Sequence, residues 1–133
     1  MASILIIDDD RLVRESARIL LQSRGHDVEV AADGRAGIDA VEVGSFDLAI
    51  VDLFMNGIDG LQVMKAIRRI KPGFPMIAAS GFMFNGDCPQ MPEFEAMAVE
   101  AGASSTLYKP LRPHEVLCAV ERMVAANGVT RRP

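Results

Sequence analysis

Short apolar runs alternate five times with stretches of helical periodicity along this chain, and this alternation constrains its fold more than any other feature. The runs predict strands at Ser3–Ile7, Asp27–Ala31, Leu48–Val51, Met76–Ala79 and Ser105–Tyr108. Strands that alternate with helices favour a parallel sheet, and right-handed crossovers then place helices on both of its faces. We therefore predict a doubly wound α/β fold with five parallel strands and five helices.

Cap and turn residues bound the predicted helices. Asp10 precedes the first helix, where a carboxylate is a favourable N-terminal cap. Glycine lies at or shortly after each predicted C-terminal end. The helices are predicted at Leu12–Arg24, from Asp33 to Gly44, from about Asp59 to Ile70, from about Met91 to Gly102, and from Pro113 to Asn127. The buried stripes are expected at Val13, Ala17, Leu20 and Leu21 in the first helix and at Val116, Leu117, Val120, Met123 and Val124 in the last.

Length and composition are those of one globular domain. The 133 residues are 50% hydrophobic and 24% charged, which is enough apolar material for a single core. We expect the domain to span residues 1–127, followed by a tail at 128–133 that is too short for an output domain.

Charge and motif content argue against several classes of function. The net charge of −4 and the lack of a basic stripe argue against nucleic-acid binding. No apolar run approaches the length of a membrane span and the N-terminus lacks a signal-peptide pattern, so we expect a cytoplasmic protein without a membrane partner. Cys88 and Cys118 have no second cysteine nearby in sequence, so neither a zinc motif nor a redox motif is predicted.

Charged residues directly follow three of the predicted strands. Asp8-Asp9 follows the first strand, Asp52 the third and Lys109-Pro110 the fifth. Because parallel strands end at the same edge of a sheet, we expect these side chains to converge. Carboxylates are the ligands that a hard divalent cation such as Mg²⁺ prefers, and the cation offsets their mutual repulsion. The pattern predicts a magnesium site beside a nucleophilic aspartate.

The residue types at this edge suit phosphoryl transfer. Asp52 is the candidate nucleophile, since a carboxylate can attack phosphorus and form an acyl phosphate. Lys109 would pair with Asp52 and then with a phosphoryl oxygen, and Ser80 after the fourth strand offers a hydroxyl to the same group. Each has a simpler interpretation when taken alone, because Asp8–Asp10 can cap a helix, Lys109 can be solvated and Ser80 can belong to a turn.

In this order and at these separations, the motifs resemble the receiver domain of two-component response regulators along essentially the whole chain. The matching segments are Ile4–Asp10, Ala31–Gly34, Phe46–Asp52, Met55 with Asp59-Gly60, Ala101–Ala103 and Tyr108–Pro110. The resemblance implies a flavodoxin-like sheet with the strand order 2-1-3-4-5. The leading interpretation is a stand-alone receiver that signals through protein contacts.

The resemblance also implies roles for individual residues. The Mg²⁺ ligands would be Asp9, Asp52 and the backbone carbonyl of Phe54, with Asp8 acting through water. A histidine kinase or a histidine phosphotransfer protein would donate a phosphoryl group to Asp52, and Ser80 and Lys109 would hold it. The Lys109–Pro110 peptide bond would be cis. Such a protein catalyses only its own phosphorylation and dephosphorylation, so it does not turn over an external substrate.

Three single positions are unusual, and one of them, Phe54, lies where the family varies. Asn56 stands where a proline is common. Phe54, two residues after Asp52, is a bulky apolar side chain that should obstruct hydrolytic water, so we expect slow loss of the phosphoryl group. Thr106 occupies the switch position where the family usually has an aromatic residue. The coupled movement of Ser80 and that aromatic therefore cannot operate in its usual form, so either Thr106 plays a reduced version of it or the signal leaves through another element.

The segment from Gly81 to about Pro92 is longer than the family's usual connection between the fourth strand and the fourth helix. Bulky apolar residues in and just after it are Phe82, Met83, Phe84, Met91, Phe94 and Met97. Either these residues make Gly81–Met97 a docking region for a downstream protein, or they cover the local core. A homodimer through the fourth and fifth strands and helices is also possible in this family.

Other functions are less compatible with the same residues. An electron carrier on the related flavodoxin-like fold would need a phosphate-binding loop where Asp8–Asp10 places negative charge. A small Mg²⁺-dependent aspartyl phosphatase often has an acid two residues after its nucleophile, where this chain has Phe54. A degenerate receiver that serves as a phosphorylation-independent binding scaffold stays open as the main alternative.

Overall fold

The computed structural model describes residues 2–55, 59–80 and 92–126, except for the side chains of residues 92–94. Within these residues, five strands alternate with five helices in the predicted order. The strands are β1 (Ser3–Ile7), β2 (Asp27–Ala31), β3 (Leu48–Asp52), β4 (Met76–Ser80) and β5 (Ala103–Tyr108). The helices are α1 (Arg11–Gln22), α2 (Gly34–Val43), α3 (Gly60–Ile70), α4 (Pro92–Ala101) and α5 (Pro113–Ala126). The predicted tail at 128–133 lies outside the described residues.

The five strands form one parallel sheet in the order β2-β1-β3-β4-β5, which confirms the predicted fold. The chain reverses its direction of winding between β1 and β3, and such a switch point opens a crevice at the carboxyl ends of the strands. Ile7 of β1 pairs with Val51 of β3. The residues that follow this pair, Asp8 and Asp52, therefore emerge side by side at the crevice.

Two apolar clusters cover the two faces of the sheet. Leu5 and Ile7 of β1 pack on the face that α2, α3 and α4 cover. Ile4 and Ile6 of the same strand pack on the opposite face, against α1 and α5. Because both faces are covered, the inner strands are nearly continuous apolar runs. This double burial fixes the strand ends that carry the charged residues.

Some element boundaries differ from the predicted ones. Asp52 and Ser80 are the last residues of β3 and β4 rather than the residues that follow them, because pairing with the neighbouring strands continues that far. β5 begins at Ala103, two residues earlier than predicted, since Ala103 pairs with Met76. α1 ends at Gln22, and the amide of Arg24 makes a turn with the Leu21 carbonyl instead of continuing the helix.

The helix termini follow the predicted caps, while one predicted stripe is less buried than expected. The Asp10 carboxylate accepts a hydrogen bond of 2.9 Å from the amide of Leu12, which confirms the cap of α1. Val13 and Leu20 are only partly buried, because α1 presents mainly Ala17 and Leu21 to the core. None of the helices in the described ranges is long and apolar enough to cross a membrane.

α3 begins in direct contact with the strand end that carries Asp52. A Cβ atom on Gly60 would lie 2.2 Å from the Asp52 carbonyl oxygen and 2.5 Å from the Leu53 Cα. Both neighbours are backbone atoms and cannot rotate away. We expect Gly60→Ala to lower the free energy of unfolding by about 2–3 kcal/mol, measured by urea denaturation.

The matched control is Gly73→Ala. Gly73 has a φ of 80°, and no heavy atom lies within 4 Å of the position that a Cβ atom would occupy, so only backbone strain opposes the new methyl group. This strain should cost about 1 kcal/mol. A loss at Gly60 no larger than the loss at Gly73 would contradict the tight contact between α3 and β3.

Candidate phosphoacceptor site

Three acidic side chains meet at the carboxyl ends of β1 and β3. Within the part of the chain that the structure describes, Asp8, Asp9 and Asp52 form the one cluster of potential metal ligands, and their ligand oxygens lie within 4.8 Å of one another. Asp8 and Asp52 are each only 2% exposed, whereas Asp9 is more open to solvent. The structure thus brings together the three acids that the sequence placed at this edge. Their individual roles remain predictions.

Lys109 reaches the same cluster from the end of β5. Its Nζ lies 2.7 Å from Asp8 Oδ2 and 3.4 Å from Asp52 Oδ2. The expected pairing with Asp52 is therefore present, but the closer partner is Asp8, which sequence reasoning did not assign to Lys109. Spacing along the chain cannot rank two carboxylates at one sheet edge. The Lys109–Pro110 peptide bond is cis, as the resemblance implied.

Backbone amides orient the two buried carboxylates. Asp8 Oδ1 accepts a hydrogen bond of 2.9 Å from the amide of Asp10, and Asp52 Oδ1 accepts one of 3.1 Å from the amide of Phe54. In each carboxylate the other oxygen, Oδ2, faces Lys109. Arg14 holds the Asp8 backbone as well, since its guanidinium donates to the Asp8 carbonyl at 2.9 Å. No motif in the sequence pointed to Arg14.

The electrostatics of the cluster leave it with surplus negative charge. Burial raises the pKa of Asp52 above its ordinary value, and the charge of Asp8 raises it further, although Lys109 and the Phe54 amide oppose this. Burial alone would lower the pKa of Lys109, but its hydrogen bond to Asp8 and the two carboxylate charges raise it overall. The single ammonium therefore does not fully compensate the carboxylates, which favours a further positive charge at this position.

Ser80 and Thr106 lie on neighbouring strands next to the acidic cluster. Ser80 ends β4, is 7% exposed, and its carbonyl accepts a hydrogen bond of 2.8 Å from the amide of Lys109. Thr106 of β5 pairs with Ala78 of β4. Ser80 and Thr106 both line a cavity of about 10 Å³ beside α4. The structure brings the two predicted switch residues to one face of the sheet, and their function stays a prediction.

The structure describes only some of the residues that we predicted to control access of water to Asp52 or docking of a downstream protein. Phe54 follows the acidic cluster and is 38% exposed. Met97 is 45% exposed on α4. Within the predicted docking region Gly81–Met97, residues 81–91 lie outside the described residues, as does Asn56. His26 is buried, and its Nδ1 accepts a hydrogen bond of 3.1 Å from the amide of Ala2.

Known proteins match this chain in sequence. The family model described as "Response regulator receiver domain" matches residues 4–121. The chain is 31% identical to the response regulator MprA of Mycolicibacterium vanbaalenii, over 91% of this chain and 49% of that protein. It is also 31% identical to the transcriptional regulatory protein FixJ of Bradyrhizobium diazoefficiens, over 91% of this chain and 56% of that protein. The chain spans about half the length of these curated relatives.

Solved structures match the fold. A CheY-like response regulator receiver domain protein from Methanospirillum hungatei superposes with a TM-score of 0.86 at 25% identity, covering 96% of this chain and 97% of that one. The chemotaxis protein CheY4 of Vibrio cholerae superposes with a TM-score of 0.82 at 29% identity, covering 92% and 98%. The strand order, the acidic cluster at the switch point and the family match over residues 4–121 agree, and the chain belongs to the receiver domain family of two-component response regulators.

Proposed function

We propose that this receiver accepts a phosphoryl group on Asp52 from a histidine kinase or a histidine phosphotransfer protein. The observation that supports this most is the contact of one ammonium, that of Lys109, with the buried carboxylates of both Asp8 and Asp52. Burying ionic groups in this way costs folding free energy, and a buried carboxylate with a raised pKa, such as that of Asp52, is more common at functional sites than elsewhere.

The acidic cluster fits a bound Mg²⁺. Its donors are hard oxygen atoms within 4.8 Å of one another, and its surplus negative charge suits a divalent cation. The proposed ligands are Asp9, Asp52 and the backbone carbonyl of Phe54, with Asp8 acting through water. When bound, Mg²⁺ neutralises negative charge on the transferring phosphoryl group.

The residues of the chain then have separate tasks in the transfer. The Asp52 carboxylate attacks phosphorus, and the bond between phosphorus and the donor imidazole nitrogen breaks as the acyl phosphate bond forms. The electron pair of the broken bond leaves with the imidazole, which takes up a proton. Lys109 moves from its carboxylate partners to a phosphoryl oxygen, and the Ser80 hydroxyl donates a hydrogen bond to another.

Intact-mass measurement tests this function. Incubation with Mg²⁺ and acetyl phosphate should add the mass of one phosphoryl group to the protein, and Asp52→Asn should remain unmodified under the same conditions. Omitting Mg²⁺ should prevent the modification. If the folded protein binds Mg²⁺ but takes up no phosphoryl group, the phosphorylation-independent scaffold becomes the better account.

The side chain of Phe54 should prolong the phosphorylated state. The Phe54 amide donates to Asp52 Oδ1 and the residue is 38% exposed, and we expect its apolar ring to obstruct the approach of hydrolytic water. We expect Phe54→Asn to shorten the lifetime of the phosphorylated protein by about tenfold, because the site is then less shielded from water. The decay of the adduct mass measures this. Val43→Asn, which removes an exposed apolar side chain 87% open to solvent on α2, should leave the lifetime unchanged.

The proposed output is a contact with a downstream protein. The net charge of −4 does not favour nucleic acid as the target. Gly81–Met97 remains the predicted docking region, and a cytoplasmic location and a possible homodimer also remain predictions.

If Phe54→Asn leaves the lifetime of the phosphorylated protein unchanged or lengthens it, the prediction that Phe54 shields the phosphoryl group from water is wrong.

A further inference from the structure

One hydrogen bond ties the end of the sheet to the start of α4. The Tyr108 hydroxyl donates to the Glu95 carboxylate across 13 residues of chain, and both side chains are partly buried. α4 begins at Pro92, so Glu95 lies close to its N-terminal end. A hydrogen bond to a charged acceptor is stronger than one between neutral groups. This bond therefore holds the first part of α4 against β5.

The same bond borders the cavity next to the predicted switch residues. Ser80 pairs with Tyr108, and Ala78 pairs with Thr106, so alternation along the strands puts these side chains on the face that α4 covers. The cavity of about 10 Å³ is lined by Leu53, Ala78, Ser80, Glu95, Thr106 and Tyr108. Ser80, whose hydroxyl is proposed to bind a phosphoryl oxygen, and Glu95, whose carboxylate binds Tyr108, thus line the same cavity.

Tyr108 is also connected to the phosphoacceptor site through the backbone. It directly precedes Lys109, whose amide donates to the Ser80 carbonyl at 2.8 Å. The Lys109 ammonium lies 2.7 Å from Asp8 and 3.4 Å from Asp52. A backbone displacement at Lys109 or Ser80 can therefore reach Tyr108 through one peptide bond and one hydrogen bond.

We propose that the Tyr108–Glu95 hydrogen bond couples phosphorylation of Asp52 to α4, in place of an aromatic residue at position 106. The proposal rests on the function proposed above. The phosphoryl group brings negative charge toward the cavity that Ser80 and Glu95 share, which repels the Glu95 carboxylate. Lys109 turns toward that group and carries Tyr108 with it. The hydrogen bond breaks and the N-terminal part of α4 is released, so phosphorylation shifts the protein between two states of this helix.

Tyrosine fluorescence reads this contact directly, because Tyr108 is the only tyrosine and the chain has no tryptophan. A carboxylate acceptor quenches phenol emission, so we expect the emission of Tyr108 to rise when Mg²⁺ and acetyl phosphate are added and the charged acceptor leaves. Asp52→Asn should show no rise. Glu95→Gln keeps an acceptor but removes the charge that the phosphoryl group repels, so its rise should be smaller. Intact mass of the same samples gives the fraction phosphorylated.

Amide hydrogen exchange of the unphosphorylated protein provides a second test that does not depend on phosphorylation. Tyr108→Phe keeps the ring and removes the hydroxyl, so exchange in residues 92–101 should become about tenfold faster, while α1 and α5 keep their rates. Ser105→Ala removes a hydroxyl from the opposite face of β5 and should leave α4 unchanged.

The possible results distinguish the proposed phosphorylation of Asp52 from the proposed coupling through Tyr108 and Glu95. A phosphoryl adduct without a change in tyrosine emission would overturn the coupling and leave the proposed function intact. Unchanged α4 exchange in Tyr108→Phe would overturn it as well. A protein that takes up no phosphoryl group would instead contradict the proposed function, and the coupling with it, and the mass spectrum distinguishes this result from the other two.

Discussion

Lys109→Met should lower the free energy of unfolding by about 3 kcal/mol at neutral pH in EDTA. The lysine Nζ lies 2.7 Å from Asp8 and 3.4 Å from Asp52, and both carboxylates are almost fully buried. Removing the ammonium leaves two like charges facing each other without a cation. Breaking a buried ion pair by removing one partner is strongly destabilising for this reason. Urea denaturation measures the loss.

Addition of Mg²⁺ should restore a large part of this loss, because a divalent cation compensates the same carboxylates. Lys65→Met is the matched control, since Lys65 is exposed on α3 and its replacement should change stability by less than about 0.5 kcal/mol. Similar losses in the two variants, or a loss at Lys109 that Mg²⁺ leaves unchanged, would contradict the compensating role of this ammonium.

The pH dependence of the Lys109 contribution has a definite sign. The pKa of Lys109 is raised in the folded protein, so folding favours its protonated form. The stabilisation is fully present below the unfolded-state pKa of about 10.4 and is lost as the pH rises through the higher folded-state value. Lys109→Met should therefore show its full deficit at neutral pH and a smaller one in strong alkali.

Asp52→Asn should raise the free energy of unfolding at pH 7 in EDTA. The pKa of Asp52 is raised in the folded protein, first by burial and then by Asp8, so the ionised form is less favourable there than in the unfolded chain. The wild type therefore loses stability as the pH rises above the unfolded-state value of about 4, up to the folded-state pKa. At a pH below the unfolded-state pKa, Asp52→Asn should no longer be more stable than the wild type.

In the presence of Mg²⁺ the wild type should be more stable than Asp52→Asn, which is the reverse of the order in EDTA. A cation that binds the folded wild type stabilises it, while the amide is a weaker ligand and should gain less. Asp39→Asn, on the surface of α2 with a side chain 57% exposed, should change stability little in either solution. A destabilised Asp52→Asn in EDTA would show that the pairing of Asp52 with Lys109 outweighs its burial, contrary to the raised pKa.

The hydrophobic pattern of the sequence was enough to predict the fold. It also predicted that the acidic residues after the first and third strands lie close together. Ile4–Ile7 and Leu48–Val51 are continuous apolar runs because helices cover both faces of the inner strands. Parallel strands end at one edge, so the acids after these runs had to meet there. The start of β5 was less visible, since Ser104 and Ser105 interrupt the apolar pattern and the pairing with β4 is irregular between Met76 and Ile77.

Contacts that depend on how helices pack could not be predicted in this way. The bond between Tyr108 and Glu95 requires the orientation of α4 against β5, which no local pattern encodes. The reach of Arg14 to the Asp8 carbonyl likewise depends on the position of α1. The closer pairing of Lys109 with Asp8 is a difference of less than 1 Å between two distances, 2.7 Å and 3.4 Å, which no sequence pattern resolves.

The most direct test of the central claim is to locate the acquired phosphoryl group. Borohydride reduces an aspartyl phosphate to homoserine, so peptide mass mapping after reduction identifies the aspartate that was modified. Protein treated with Mg²⁺ and acetyl phosphate should show homoserine in place of Asp52 and at no other aspartate. Modification at Asp8 or Asp9 with Asp52 intact, or no reduced aspartate in a fully folded protein, would contradict the claim that Asp52 is the phosphoacceptor.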